Sequence, residues 1–90
     1  MEISSEKREK ISEQILAFLY TSSPKSIFTS HIAAELARDE EFMKKLLLEL
    51  KKKNLVIEIK KNPSGKEYLR RSRWKLSDAA YAAYRSRQAQ

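Results

Sequence analysis

The 90-residue chain contains no cysteine, which excludes disulfides and thiolate chemistry and leaves the redox compartment open. A single histidine and the lack of any acid–base constellation argue against an enzyme, and no metal-ligand cluster is present. No apolar run approaches the roughly 18 residues of a membrane span. The opening MEISSEKREK lacks the apolar region of a signal peptide. These absences lead to the expectation of a cytoplasmic protein without cofactors. Ninety residues suit one domain, spanning 1–90, with a modest core. There is one glycine, and it sits in Lys61-Asn62-Pro63-Ser64-Gly65-Lys66, the clearest turn signal in the chain.

What the chain does have is periodicity. Ile11, Ile15, Phe18 and Leu19 form the apolar stripe of a helix over 5–20, with Ser4 or Ser5 as N-cap and the cluster Thr21-Ser22-Ser23-Pro24 ending it. Ser26-Ile27-Phe28 is a short β-compatible segment, and Thr29 or Ser30 is expected to cap a second helix running to about Ala37. Ile32, Ala33 and Leu36 mark one face of that helix. After a break of about three residues, Asp39 caps a third helix. Its apolar face is Met43, Leu46, Leu47 and Leu50, at i, i+3, i+4, i+7 spacing. Glu40 and Glu41 suit the positive end of its dipole, Lys51 to Lys53 the negative end, and Asn54 its left-handed exit.

From Leu55 to Lys60 the residues Leu55, Ile57 and Ile59 alternate with Val56, Glu58 and Lys60, which predicts a half-buried strand. A second strand is expected from Glu67 to Leu76, making a β-hairpin over about 55–76 with a basic tip, with Tyr68 and Trp74 as its core aromatics. Ser77 then caps a last helix over about 77–88, and Leu76 and Tyr81 match a hydrophobic staple. Ala80, Ala83 and Tyr84 continue its apolar side.

Net charge is +7 and unevenly spread. Residues 1–50 hold 7 Lys/Arg against 9 Asp/Glu, residues 51–75 hold 10 against 2, and residues 76–90 hold 2 against 1. The entire excess lies in the 51–75 block. Charged edge strands that block aggregation account for a few lysines. A concentrated excess of this size is instead the footprint of a nucleic-acid binder.

The order helix, short strand, helix, helix, strand, basic loop, strand, helix resembles the winged helix-turn-helix superfamily from about Glu6 to Tyr84. It is an α+β, mainly helical fold in which the hairpin is the wing. Trp74-Lys75-Leu76-Ser77 is similar to the aromatic-x-Leu-Ser/Thr segment that opens the last helix in PadR- and MarR-like regulators. Asn54 stands at the exit into the first wing strand and Ala37 in the interhelical turn, both places where relatives usually carry glycine. The acidic Asp39-Glu40-Glu41 at the start of the recognition helix also departs from the Ser, Thr, Arg or Gln of many relatives.

The resemblance implies sequence-specific or semi-specific double-stranded DNA binding by a transcriptional regulator, through recognition helix 39–53 and basic wing 58–73. On the outer face of the third helix, Lys44, Lys45 and Lys52 suit phosphate or a guanine edge, and Leu48 suits a thymine methyl group. In the wing the expected contacts are Lys60, Lys61, Asn62, Ser64, Lys66, Arg70, Arg71 and Arg73, with arginine suited to a minor groove. Ser30 and His31, at the start of the second helix, are candidate phosphate contacts. Two alternatives stand beside this reading: a winged-helix protein–protein interaction module, and an RNA- or ribosome-associated protein. A homodimer paired through the C-terminal helix is a further expectation, because the terminal helices of similar regulators pair.

Overall fold

A computed structural model of the chain describes residues 4–60 and 71–88. Its elements are α1 (Ser5–Ser22), β1 (Ile27–Phe28), α2 (Thr29–Glu35), α3 (Glu40–Lys52), β2 (Val56–Ile59), β3 (Arg73–Leu76) and α4 (Asp78–Gln88). This is the expected mainly helical α+β order. The strands form one antiparallel sheet in the order β1-β3-β2, so the last strand in sequence is the central one.

Helix starts follow the capping residues in three cases. The Lys7 N–H donates to Ser4 Oγ, the Phe42 N–H to an Asp39 carboxylate oxygen, and the Ala80 N–H to Ser77 Oγ. The second helix differs from expectation. Phe28 holds its N-cap position without a side-chain bond, and Thr29 Oγ1 is engaged elsewhere, as described below. The first helix runs on to Ser22, because Thr21 turns its hydroxyl onto the Phe18 carbonyl (2.9 Å) instead of breaking the turn.

Both helix exits around α3 are left-handed without glycine. At Asn54 φ is 61°, and the N–H groups of Asn54 and Leu55 return to the carbonyls of Lys51 and Leu50 (both 3.0 Å). At Ala37 φ is 53°, and the N–H groups of Ala37 and Arg38 return to Ala34 and Ala33 (3.2 and 2.9 Å). Each pair closes the helix as a Schellman motif. The second helix therefore ends at Glu35, two residues short of expectation, since the turn consumes Leu36 and Ala37.

The core joins all layers: Ile11, Ile15 and Leu19 of α1, Ile32 and Ala33 of α2, and Met43, Leu46, Leu47 and Leu50 of α3. Val56, Trp74, Leu76 and Ala80 complete it. Each fully buried Leu or Ile contributes about 1.5–3 kcal/mol. In β2 the expected phase is reversed. Val56 opposes Leu76 and Glu58 opposes Trp74 on the core side, while Ile57 opposes Lys75 on the outer face and is 39% exposed. The Asn54 exit sets which side of the strand faces inward, and a paired glutamate then occupies a position that alternation assigned to solvent. The returning strand begins at Arg73 rather than Glu67. Arg71 and Ser72 precede it outside any strand, and Tyr68 lies outside the described residues.

On α4, Ala80 is buried and the rings of Tyr81 and Tyr84 lie 5.3 and 5.5 Å from that of Tyr20 on α1. That side of the helix covers the chain's own core; Ala83 is exposed.

A Cβ at φ 53° costs about 1–2 kcal/mol relative to the right-handed region. Ala37→Gly should therefore stabilise the fold by about 1 kcal/mol, a rise in melting temperature of about 4–8 °C for a domain this size. A thermal melt followed by circular dichroism measures it, and an unchanged or lowered midpoint would contradict the left-handed turn.

Candidate nucleic-acid interface

Three elements converge on one cleft of about 110 Å³. Its lining comprises Phe28, Thr29 and Ser30 at the β1–α2 junction, Glu40 and Lys44 of α3, and Arg71 and Ser72 at the base of the wing. Their meeting follows from how the elements pack: β1 pairs with β3, which brings the start of α2 beside the wing base, and α2 packs on α3.

With Met43 and Leu47 buried, the helical period turns Glu41, Lys45, Leu48 and Lys52 outward and leaves Lys44 and Lys51 on the flank nearer the wing. Leu48 is 38% exposed. Among the described residues, Lys44, Lys45 and Lys52 take part in no ion pair, unlike Lys51. The opposite flank of α3 is neutralised, because Glu49 pairs with Arg8 of α1.

A polar chain fixes how these elements sit. Lys51 Nζ donates to Glu58 Oε1 (2.8 Å) and Ser72 Oγ to Glu58 Oε2 (2.6 Å). The Ser72 carbonyl accepts from the Thr29 N–H (3.3 Å), and Thr29 Oγ1 accepts from the buried Trp74 Nε1–H (2.7 Å). The chain thus runs from the last turn of α3 through β2 and the wing base to the start of α2 and the core. The Glu58 side chain is 5% exposed, against 49% for Lys51. Burial pushes its carboxyl up. The hydrogen bonds from Lys51 and Ser72, with the charges of Lys51 and Lys60, outweigh that and hold it below the ordinary 4.5.

Phe28, in the wall of the cleft, carries two cations. The guanidinium carbons of Arg71 and Arg73 lie 5.6 and 5.4 Å from its ring centroid. A cation held over a ring keeps its N–H donors, which suit a phosphate.

Of the residues expected at a binding site, the cleft brings Ser30, Lys44 and Arg71 together, with Arg73 beside Arg71 on Phe28. Lys45, Leu48 and Lys52 share the outer strip of α3, and Lys60 is exposed just past β2. His31 is not in the cleft. Its ring lies 6.0 Å from that of Phe18 and its Nε2 3.9 Å from Glu35. Lys61, Asn62, Ser64, Lys66 and Arg70 lie outside the described residues. Periodicity and charge did not single out Phe28, Thr29, Glu58 or Ser72 as site residues. Glu58 had a signal, being one of only two acids in the basic 51–75 block. Among the described residues no group of His, Asp or Glu is arranged to hold a metal ion, and no helix is long and apolar enough to cross a membrane.

Solved structures of transcription regulators share this architecture. The MepR–DNA complex of Staphylococcus aureus is 19% identical with a TM-score of 0.75, covering 93% of this chain and 66% of that one. Lactococcus lactis ZitR in its apo form is 20% identical with a TM-score of 0.71, covering 94% and 59%. PcaV from Streptomyces coelicolor, bound to its natural ligand, is 18% identical with a TM-score of 0.62, covering 93% and 52%. The chain thus spans between about half and two thirds of the length of these proteins. No protein-family model matches the sequence, and no curated protein sequence does. At such identities the likeness is one of fold: the winged helix-turn-helix of MarR-type regulators.

Lowering of the Glu58 pKa in the folded state gives a stabilisation that is present above its unfolded value and lost as pH falls through the folded one. Lys51→Met removes the first of the two hydrogen bonds and one of the two charges that oppose burial. The variant should be less stable than wild type near pH 6 by about 1–3 kcal/mol, the range for a buried acceptor deprived of a charged partner. That gap should close as the solution is acidified below about 4.5, where the carboxylate takes up its proton. Denaturant titrations at the two ends of this range check it, and a pH-independent gap would contradict the assignment.

Proposed function

We propose that this chain binds double-stranded DNA and acts in transcriptional regulation, with α3 presented to the major groove and the wing gripping the backbone or minor groove beside it. One observation carries the reading: the cleft where Lys44 of α3, Ser30 of α2 and Arg71 of the wing base meet, flanked by the outward cations Lys45 and Lys52. Lys44 and Arg71 outweigh Glu40 in the cleft, Ser30 adds a hydroxyl, and Lys45 and Lys52 extend the basic surface along α3, which suits a continuous polyanion better than a small ligand. The MepR–DNA complex supports it as a case of this fold on DNA. In this reading Lys44, Lys45, Lys52, Lys60, Arg71 and Arg73 carry most of the affinity, together with Lys61, Asn62, Ser64, Lys66 and Arg70 of the wing. Ser30 is a further phosphate contact. At the acidic start of α3, Glu41 repels phosphate and suits only a base amino group such as that of cytosine, so the phosphate contacts of this helix fall to its lysines.

Affinity for mixed-sequence duplex should fall linearly with log salt, by about 0.9 log units per neutralised phosphate for each decade of salt. Replacing Arg70, Arg71 and Arg73 by alanine should weaken binding to every sequence. It should also make that slope shallower by about 1 for each phosphate no longer neutralised. Fluorescence anisotropy over a salt series measures both. An affinity unchanged by the triple replacement would remove the wing from the mechanism, and no binding at low salt would favour a protein partner.

Leu48 gives a sharper test, because the thymine C5 methyl is the one apolar group on a major-groove edge. On a selected high-affinity duplex, replacing the contacted thymine by deoxyuracil should weaken the wild type several-fold. It should leave Leu48→Ala, already weaker, unaffected. Equal sensitivity of both proteins would exclude Leu48 from base contact.

A further inference from the structure

We infer that Glu58 is a positioning residue for DNA: its buried carboxylate locks the base of the wing to the last turn of α3 and so sets the distance between the two elements that contact the duplex. The inference rests on the DNA-binding reading above and goes beyond it by assigning a role to an acid on the cationic side. The local geometry is specific. The β2–β3 ladder ends at Ile59 and Arg73, so Ser72 lies one residue beyond its last pair. Glu58 opposes Trp74, which makes Ser72 its diagonal neighbour on the same face. One carboxylate oxygen accepts from Lys51 on α3 and the other from Ser72. Ser72 is in turn the residue whose carbonyl receives the Thr29 N–H at the start of α2, and it lines the cleft with Arg71 and Lys44. A single side chain thus joins the recognition helix to the point where the wing leaves the sheet.

Charge alone argues against an acid here. A negative group beside a phosphate site lowers affinity, and Glu58 also engages Lys51, a cation two helical turns from Lys44 on the same flank. Long-range electrostatics and positioning therefore predict opposite signs for its removal. If only charge matters, Glu58→Met frees Lys51 and raises affinity, with a steeper salt slope. If the carboxylate sets the wing, the variant grips fewer phosphates in spite of its greater positive charge.

The test measures duplex binding over a salt series for wild type, Glu58→Met and Ser72→Ala, with folding checked by circular dichroism at the assay temperature. Both variants should bind about tenfold more weakly, with a salt slope shallower by about 1, as expected when one fewer phosphate is neutralised. The slope separates positioning from simple loss of folded protein, which scales the bound amplitude and leaves the slope unchanged. Tighter binding by Glu58→Met, or no change in Ser72→Ala, overturns the inference. Should Glu58→Met fail to fold, Ser72→Ala decides, because it alters no charge and keeps the Lys51 pair. A wild type that does not bind duplex overturns the DNA reading itself, whereas a binding wild type with unaltered variants overturns only the role of Glu58.

Discussion

The burial of Trp74 is the constraint on which the rest depends. Its ring is 0% exposed on the central strand, so it touches both the helical layer and the sheet. An indole N–H taken wholly out of water needs an acceptor, and leaving it without one costs about 1–3 kcal/mol. Thr29 supplies that acceptor, from a position 45 residues earlier in the chain. One bond therefore anchors the first residue of α2 to the middle of the sheet. From there the Schellman turn at Ala37 aims α3, and the Asn54 exit aims β2. The orientation of the outer strip of α3 follows from a buried ring more than from any surface interaction.

The charges are arranged around that frame by pairing. Glu49 is neutralised by Arg8, and Glu58 by Lys51 and Ser72. Glu58 is the acid held behind the cleft, and it is the one whose removal from water is compensated by two donors. The other cations of α3, Lys44, Lys45 and Lys52, are exposed and take part in no ion pair among the described residues. Net charge alone does not convey this. The basic block becomes a directed surface because its one described acid is turned inward and bound.

Much of the architecture was legible in the residues. The stripe Met43, Leu46, Leu47, Leu50 named the buried face of α3, and Asp39, Asn54 and Ser77 named helix ends, because these features are local and each residue type has one dominant backbone role. The phase of β2 was not legible. Alternation favoured Leu55, Ile57 and Ile59 inward, and only tertiary interactions with Lys51, Ser72 and Trp74 make Glu58 an acceptable inward residue. Thr29 misled for a similar reason: a hydroxyl suited to an N-cap was claimed by an indole that sequence distance concealed. At the site, Lys44, Leu48 and Arg71 could be named from helical period and charge, whereas Phe28 could not. Its role as the ring beneath two guanidinium groups needs β1 paired beside β3.

The strand order β1-β3-β2 has a bearing on synthesis. All three helices that carry the core stripes, and both outer strands, leave the ribosome before the central strand does. Until Trp74 and Leu76 emerge, β1 and β2 have no partner strand between them. A nascent chain lacking that strand therefore lacks both the ring that fills the interior and the only strand to which either edge is paired in the described sheet.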